Sequence, residues 1–154
     1  DALIDLFKSE GDINAPNKLV SNIIDYRTHH LFETTNDLIQ CVKKGFYFKS
    51  RRHYIATLTK VFQAIRIEVN QEMTELENVL NDILTINNGV VVGIITFQPN
   101  EDRLLKSFIK TNNLYRILKK PIRLSYHECK KNPRAKSASL RIFMVGLSQN
   151  NQSA

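Results

Sequence analysis

Residues 90–97, which read Val90-Val91-Val92-Gly93-Ile94-Ile95-Thr96-Phe97, decide the fold class of this 154-residue chain. They are apolar without alternation, a pattern typical of a strand buried on both faces in a parallel sheet. The Asn-Asn-Gly at residues 87–89 predicts a turn directly before this strand. We therefore expect a sheet in the second half of the chain, with residues 90–97 inside it.

Upstream of the strand, apolar residues recur every three or four positions between residues 62 and 83, which predicts one long helix over about residues 55–84. Gln63, Arg66 and Asn70 follow the same steps one position later, about 40–100° round the helix from Phe62. They border the apolar stripe, where an unpaired guanidinium is costly. Two interpretations stay open: Arg66 and Asn70 grip a ligand, or they form a structural network joining the two halves of the protein.

The first 54 residues contain signals for three helices. A first helix ends near Gly11, and Pro16 is suited to the first turn of a second. Thr34 or Thr35 can cap a third, with Asp37 in its first turn and a stop at residues 43–45. A basic, aromatic loop is predicted over residues 46–54.

After residue 97, the pattern predicts a helix starting at Pro99, a short strand over residues 114–118 and a short helix behind a capping box at Ser125. A last strand spans residues 140–147, and a polar tail follows. The chain is thus predicted to be α/β and mostly helical, divided into residues 1–54, 55–88 and 89–147 with a tail over 148–154. Three strands cannot make a doubly wound sheet, so we expect a piece of one.

Positive charge is unevenly distributed in this chain of net charge +7. Residues 43–66 contain seven Lys or Arg and no acid, and residues 103–141 contain twelve with only Glu128. Aromatic residues at positions 46, 47, 48 and 54 lie in the first zone and could stack on bases. The zones indicate a polyanion-binding surface; lysines that only maintain solubility are the alternative.

Other classes of protein receive little support from the sequence. Cys41 and Cys129 are isolated, which fits reduced thiols in an intracellular, non-secreted protein. The four histidines lack partners at ligand spacing, so no metal site is predicted. No apolar stretch approaches the ~20 residues of a membrane span, and no partnership with a membrane is expected. The chain starts without Met, and we expect a fragment, a processed form or a trimmed sequence.

Three motifs resemble one known family, the S-adenosylmethionine-dependent methyltransferases that modify N4 of a cytidine in 16S-type, small-subunit ribosomal RNA. Residues 62–72, FQAIRIEVNQE, are similar to its central helix motif F-Q-A-[LI]-R-I-x-V-N-x-E. Residues 96–103, TFQPNEDR, stand where the family has S-F-H-S-L-E-D-R. Residues 120–122, KPI, and 132–141, NPRAKSASLR, are similar to its C-terminal signature. The resemblance covers nearly the whole chain and implies the C-terminal half of such a protein.

The resemblance also implies what this chain lacks. In the family, S-adenosylmethionine is held by a glycine-rich turn after the first strand, where bare backbone N–H groups approach the cofactor. The five glycines here form no such turn, so no cofactor-binding residue is predicted in this chain. Gln98 and Pro99 replace the family's histidine and serine, which removes a titratable group and a backbone donor. Catalytic residues therefore stay unknown.

The resemblance implies a helical RNA-recognition insertion followed by the last strands and helix of a Rossmann-like class I methyltransferase sheet, incomplete in this chain. The expected function is RNA positioning for attack by the cytosine amine on the methyl group of the cofactor. The partners would be ribosomal RNA or the small subunit, and an N-terminal segment or chain completing the fold, in a bacterial cytoplasm or an organelle such as a mitochondrion. An inactive relative acting in ribosome assembly is one alternative, and a general basic RNA-binding module is another. The RNA-binding or cleft-lining candidates are Lys60, Gln63, Arg66, Asn70, Arg103, Asn132, Arg134, Lys136, Ser137 and Arg141.

Overall fold

The computed structural model describes residues 2–87 and 89–146. The middle of the turn predicted at residues 87–89, the end of the last predicted strand and the predicted tail lie outside these residues. Within them the fold is α/β and mostly helical, with seven α-helices, one 3₁₀ helix and a four-stranded sheet. The chain forms two compact units, the first ending at Glu72 and the second beginning at Met73.

The first unit is a helical bundle in which the first three helices follow the predicted signals and the fourth begins earlier than predicted. Its helices are α1 (Ala2–Ser9), α2 (Asn17–His29), α3 (Thr35–Gly45) and α4 (Arg51–Asn70). Thr34 is the N-cap residue of α3 and forms a capping box with Asp37, whose carboxylate accepts the Thr34 N–H at 2.7 Å. A core of apolar side chains, including Phe7, Leu19 and Val61, is fully shielded from solvent. The predicted loop over residues 46–54 is shorter than expected, since α4 already begins at Arg51.

The single helix predicted over residues 55–84 is wrong, because two helices occupy this stretch. Between α4 and α5 (Glu72–Leu84), Gln71 adopts the left-handed conformation with φ 52°. A left-handed residue cannot continue a right-handed helix. The apolar periodicity runs on through Gln71, which is why it does not reveal the break.

The second unit contains the sheet, and the strand of residues 90–97 is confirmed as β1 (Val90–Thr96). Next come α6 (Pro99–Thr111), which begins at the predicted proline, and β2 (Tyr115–Arg116), which lies within the strand predicted over residues 114–118. Strand β3 (Ile122–Arg123) follows and was not predicted from the sequence. The chain continues through α7 (Tyr126–Lys131), the 3₁₀ helix Pro133–Ser137 and β4 (Ser139–Val145). Strand β4 pairs with β1 along one edge and with β2 and β3 along the other.

The prediction that residues 90–97 are buried on both faces of a parallel sheet is not met in this structure. All described pairings are antiparallel, and β1 lies at an edge of the sheet. One face of β1 packs through Val92 and Ile94 onto a core containing Leu80, Leu105 and Phe143. On the other face Val91 and Ile95 are 56% and 58% exposed. The apolar pattern therefore belongs to a strand with only one face covered by the described residues.

Candidate nucleic-acid interface

The start of α4 concentrates positive charge where a helix does not favour it. Arg51 and Arg52 occupy its first turn, and no acid accompanies them there. The N-terminal end of a helix carries partial positive charge, so cations at this end cost stability. The cost is offset only in part by the Ser50 side chain, whose hydroxyl accepts the His53 N–H at 3.2 Å. Unfavourable charges on an exposed helix end are consistent with a surface kept for an anionic ligand.

The aromatic residues beside this basic helix end are not equally available for stacking on bases. Phe46 and Phe48 pack against the helical core, and the ring of Phe48 meets that of Tyr54 edge to face at 5.0 Å. Tyr47 is 84% exposed. Of the aromatic residues predicted at 46–54, Tyr47 is therefore the one presented most openly to a base.

The candidate residues of α4 form polar contacts within the first unit. The Arg66 guanidinium binds both carboxylate oxygens of Glu72 at 3.0 Å, and Asn70 Nδ2 donates to Glu72 Oε1 at 3.2 Å. These contacts join α4 to the first residue of α5 across the break at Gln71. Lys60 Nζ donates to the Asp12 carbonyl at 2.8 Å, and Gln63 is half-buried. Both Arg66 and Asn70 are thus already engaged by Glu72 in the free protein.

In the second unit, Asp102 links the start of α6 to strand β4. Arg141 Nε lies 2.6 Å from Asp102 Oδ1, and Arg141 Nη2 lies 3.1 Å from Oδ2. Lys106 Nζ approaches the same carboxylate at 2.9 Å. The hydrogen bonds from Arg141, assisted by Lys106, hold the pKa of Asp102 below its usual range despite burial. Arg141, predicted to contact RNA, is therefore committed to Asp102, with only 11% of its side chain exposed.

The C-terminal candidates form a short, exposed, basic segment. Asn132 ends α7, and Arg134, Lys136 and Ser137 lie on the 3₁₀ helix that follows, all exposed. Neither Arg134 nor Lys136 forms an ion pair within residues 2–87 and 89–146. Two unpaired cations on an exposed turn are suited to phosphate contacts, because little has to be broken before they bind.

The structure also brings together residues that the sequence did not connect. Arg103 and Ser137, both predicted, line one cavity of about 430 Å³ at the end of β1. Lys106, Arg123 and Ser139 line the same cavity, although none of these three was a candidate. Arg123 and Ser139 face each other in the register of β3 and β4. Only the tertiary pairing reveals this proximity, so no sequence signal could have found it.

The described residues do not offer the turn that the resemblance requires for S-adenosylmethionine. Strand β1 passes into α6 through Phe97, Gln98 and Pro99, without glycine. Gly93 lies within β1, and Gly146, with φ 72°, follows β4 rather than leading from a strand into a helix. The turn from β1 into α6 therefore consists of a proline and two residues that are larger than glycine. These residues do not fit the close approach of a bare backbone to a cofactor.

In the part of the chain that the structure describes, no cluster of three or more His, Cys, Asp or Glu side chains is arranged to hold a metal ion. No described helix is both long enough and apolar enough to cross a membrane.

Comparison with known proteins identifies similar sequences over nearly the whole chain. Residues 1–145 match the model of the MraW methylase family. The chain is 38% identical to ribosomal RNA small subunit methyltransferase H of Thermosipho africanus, over 91% of this chain and 48% of that protein. It is 38% identical to the protein of that name from Trichodesmium erythraeum, over 91% of this chain and 49% of that protein. It is 35% identical to the one from Leptospira interrogans, over 93% of this chain and 44% of that protein. The chain spans about half the length of these relatives.

Proposed function

The chain belongs to the MraW methylase family, and we propose that it positions RNA for methylation of a small-subunit ribosomal RNA cytidine at N4 without holding S-adenosylmethionine itself. The family is one of S-adenosylmethionine-dependent methyltransferases. The relatives are ribosomal RNA small subunit methyltransferases, which supports ribosomal RNA as the substrate. Exposed cations without ion pairs in the described residues, such as Arg134 and Lys136, support the RNA-binding role.

One observation carries the second half of this proposal: the sheet has an open side. Within the described residues β1 pairs with β4 alone, although β1 is seven residues long and apolar. Val91, Ile95 and Phe97 expose more than half of their surface on or beside its uncovered face. An edge strand and an apolar face of this kind are normally paired or covered in a folded protein. This supports a sheet whose remaining strands, and the cofactor site they would form, lie outside these residues.

We extend the proposal to the fold and to the parts of the chain. Residues 1–54 would be the RNA-recognition unit of the helical insertion, and residues 89–147 the C-terminal part of a Rossmann-like class I methyltransferase sheet. A further segment or a partner chain would complete the sheet next to β1 and supply the cofactor. The relatives are bacterial, which supports a bacterial cytoplasm or an organelle as the compartment.

The role of this chain is then to hold and orient RNA. Bringing an RNA amine into line with a methyl donor lowers the barrier by removing translational and rotational freedom before reaction. The residues proposed to do so contact phosphate and ribose, which fixes register without reading sequence. Arg134 and Lys136 lie on the 3₁₀ helix directly before β4, are exposed, and are suited to this task.

The salt dependence of RNA binding tests the proposal. The variant Arg134→Ala/Lys136→Ala should lower the slope of log K against log salt by about 1.4, since each lost phosphate contact on single-stranded RNA removes about 0.7. Affinity for a small-subunit RNA fragment is measured by fluorescence anisotropy at several salt concentrations. The control Lys8→Ala/Lys18→Ala removes equal charge from α1 and α2, outside both basic zones. Equal slopes in both variants would contradict the proposal.

A second function is favoured by one feature, the Gln98-Pro99 pair at the start of α6. The family motif has histidine and serine at these positions, so the chain could serve as an inactive relative in ribosome assembly. The two functions share RNA binding and differ in methylation. Deleting the gene separates them: loss of cytidine N4 methylation supports the positioning role, and unchanged methylation with defective subunit assembly supports the inactive relative.

A further inference from the structure

We propose that the cavity at the end of β1 is a binding pocket for a phosphate group of the RNA backbone. The inference deepens the proposed function and rests on it for the identity of the ligand as RNA. The cavity has a volume of about 430 Å³ and lies among the end of β1, the start of α6, β3 and the residues that enter β4. This volume is within the range of ligand pockets and leaves room for the sugar attached to the phosphate.

Charge is the first reason to assign an anion to this cavity. Arg103, Lys106 and Arg123 line it, and Asp102 is the one carboxylate among its described lining residues. Asp102 is already neutralised by Arg141, which binds it through two hydrogen bonds. Arg103 and Arg123 form no ion pair within residues 2–87 and 89–146. Two guanidinium groups are therefore available, and guanidinium matches the geometry of phosphate oxygens.

The second, independent reason is a buried hydroxyl group without a partner. Ser139 is 5% exposed, and its Oγ forms no hydrogen bond in the described structure. Thr96, paired with Ser139 across the sheet, is satisfied because its hydroxyl donates to the Ser139 carbonyl at 3.3 Å. A buried, unsatisfied polar group is unfavourable and calls for an explanation. Because Ser139 lines the cavity, a phosphate oxygen there can accept its hydrogen bond.

The side chains, rather than the helix end, would hold the anion. The Glu101 carboxylate accepts the N–H groups of Phe97 and Gln98 at 2.8 and 3.2 Å. Pro99 has no N–H, and the Glu101 N–H donates to Asn100 Oδ1 at 3.1 Å. Most backbone donors at the start of α6 are thus used within the protein. The pocket therefore depends on Arg103, Arg123 and Ser139, which makes it testable by substitution.

The chain contains a matched control for Arg123. Arg116 and Arg123 lie on the two short strands that pair with the same edge of β4, Arg116 opposite Phe143 and Arg123 opposite Ser139. Arg116 is exposed and is not among the lining residues of the cavity. The variants Arg116→Gln and Arg123→Gln therefore remove the same charge from equivalent strand positions, and only the second alters the pocket.

Binding of single-stranded small-subunit RNA to the whole chain tests the pocket. We expect Arg123→Gln to weaken affinity about tenfold and to lower the salt slope by about 0.7, and Arg116→Gln to have less than a twofold effect. Ser139→Ala should weaken affinity about threefold at an unchanged slope, because the lost donor is uncharged. Urea denaturation of Ser139→Ala should show undiminished stability, since the hydroxyl has no partner in the free protein. Equal affinities of Arg123→Gln and Arg116→Gln, or unweakened binding by Ser139→Ala, would overturn the inference.

Titration with inorganic phosphate separates this inference from the proposed function. In one outcome, phosphate shifts the amide NMR signals of Ser139 and residue 123 in the wild type but not in Arg123→Gln, and the wild type does not bind RNA. This outcome would support the pocket and refute the proposed function. In the opposite outcome, the wild type binds RNA, neither Arg123→Gln nor Ser139→Ala weakens this binding, and phosphate shifts no signal. This outcome would refute the pocket and support the proposed function.

Discussion

The Asp102 carboxylate is the best example of how single residues organise this protein. It receives two hydrogen bonds from Arg141, which is 39 residues away in sequence, and lies 2.9 Å from Lys106, one helical turn away. The contact with Lys106 could be predicted from the sequence, because residues four positions apart lie on the same face of a helix. The contact with Arg141 was not, because it depends on the position of β4 beside α6.

The variant Asp102→Asn should lower the free energy of unfolding by about 2 kcal/mol at pH 7, because it leaves the Arg141 cation largely buried without its counter-charge. Chemical denaturation measures this change. Asp82→Asn is the control, since Asp82 is an exposed acid of α5 outside the described ion pairs. A similar loss in both variants would contradict a special role for Asp102.

The same pair predicts a dependence of stability on pH. The folded-state pKa of Asp102 is lowered from its unfolded value of about 3.9. Its contribution is therefore present above about pH 4 and is lost as the pH falls through the folded pKa. The stability difference between wild type and Asp102→Asn should shrink between pH 5 and pH 2. A difference that is constant over this range would show that folding does not lower the pKa of Asp102.

At the scale of elements, helix starts marked by a capping box or a proline were predictable, whereas the start of α4 and the interruption at Gln71 were not. Thr34 with Asp37, Ser125 with Glu128 and Pro99 all begin helices where the sequence indicates, because capping depends on neighbouring residues. The break at Gln71 carries no glycine or proline signal. It is accompanied by the contacts of Arg66 and Asn70 with Glu72, which sequence periodicity does not encode. Strand β3 was not predicted for a similar reason. It has only two residues, and its pairing with β4 depends on the tertiary structure.

The variant Gln71→Gly should raise the free energy of unfolding by about 0.5–1 kcal/mol, because glycine adopts positive φ without the steric cost that glutamine carries. In the control, Ala56→Gly, the same residue is introduced into the exposed interior of α4 and should destabilise by about 1 kcal/mol. Urea denaturation measures both. Destabilisation of similar size in both variants would indicate that residue 71 lies in a continuous helix.

At the scale of the whole molecule, the sequence predicted the α/β class and the family, but not the direction of strand pairing. An apolar run such as residues 90–97 predicts a strand that is buried on both faces. It does not indicate whether the elements that cover those faces belong to the same stretch of chain. Here the described pairings of β1 are all antiparallel, and Val91 and Ile95 are exposed. We interpret the run as a central strand of a larger sheet, consistent with relatives about twice as long.

This interpretation is tested by isothermal titration calorimetry of S-adenosylmethionine into the folded chain. We expect no binding at cofactor concentrations up to the millimolar range, because the described strand-to-helix turn at Gln98 and Pro99 offers no glycine-rich cradle. Circular dichroism of the same sample confirms that the protein is folded. A saturable site with a Kd in the micromolar range would contradict the account, since this chain would then hold the methyl donor without any completing segment.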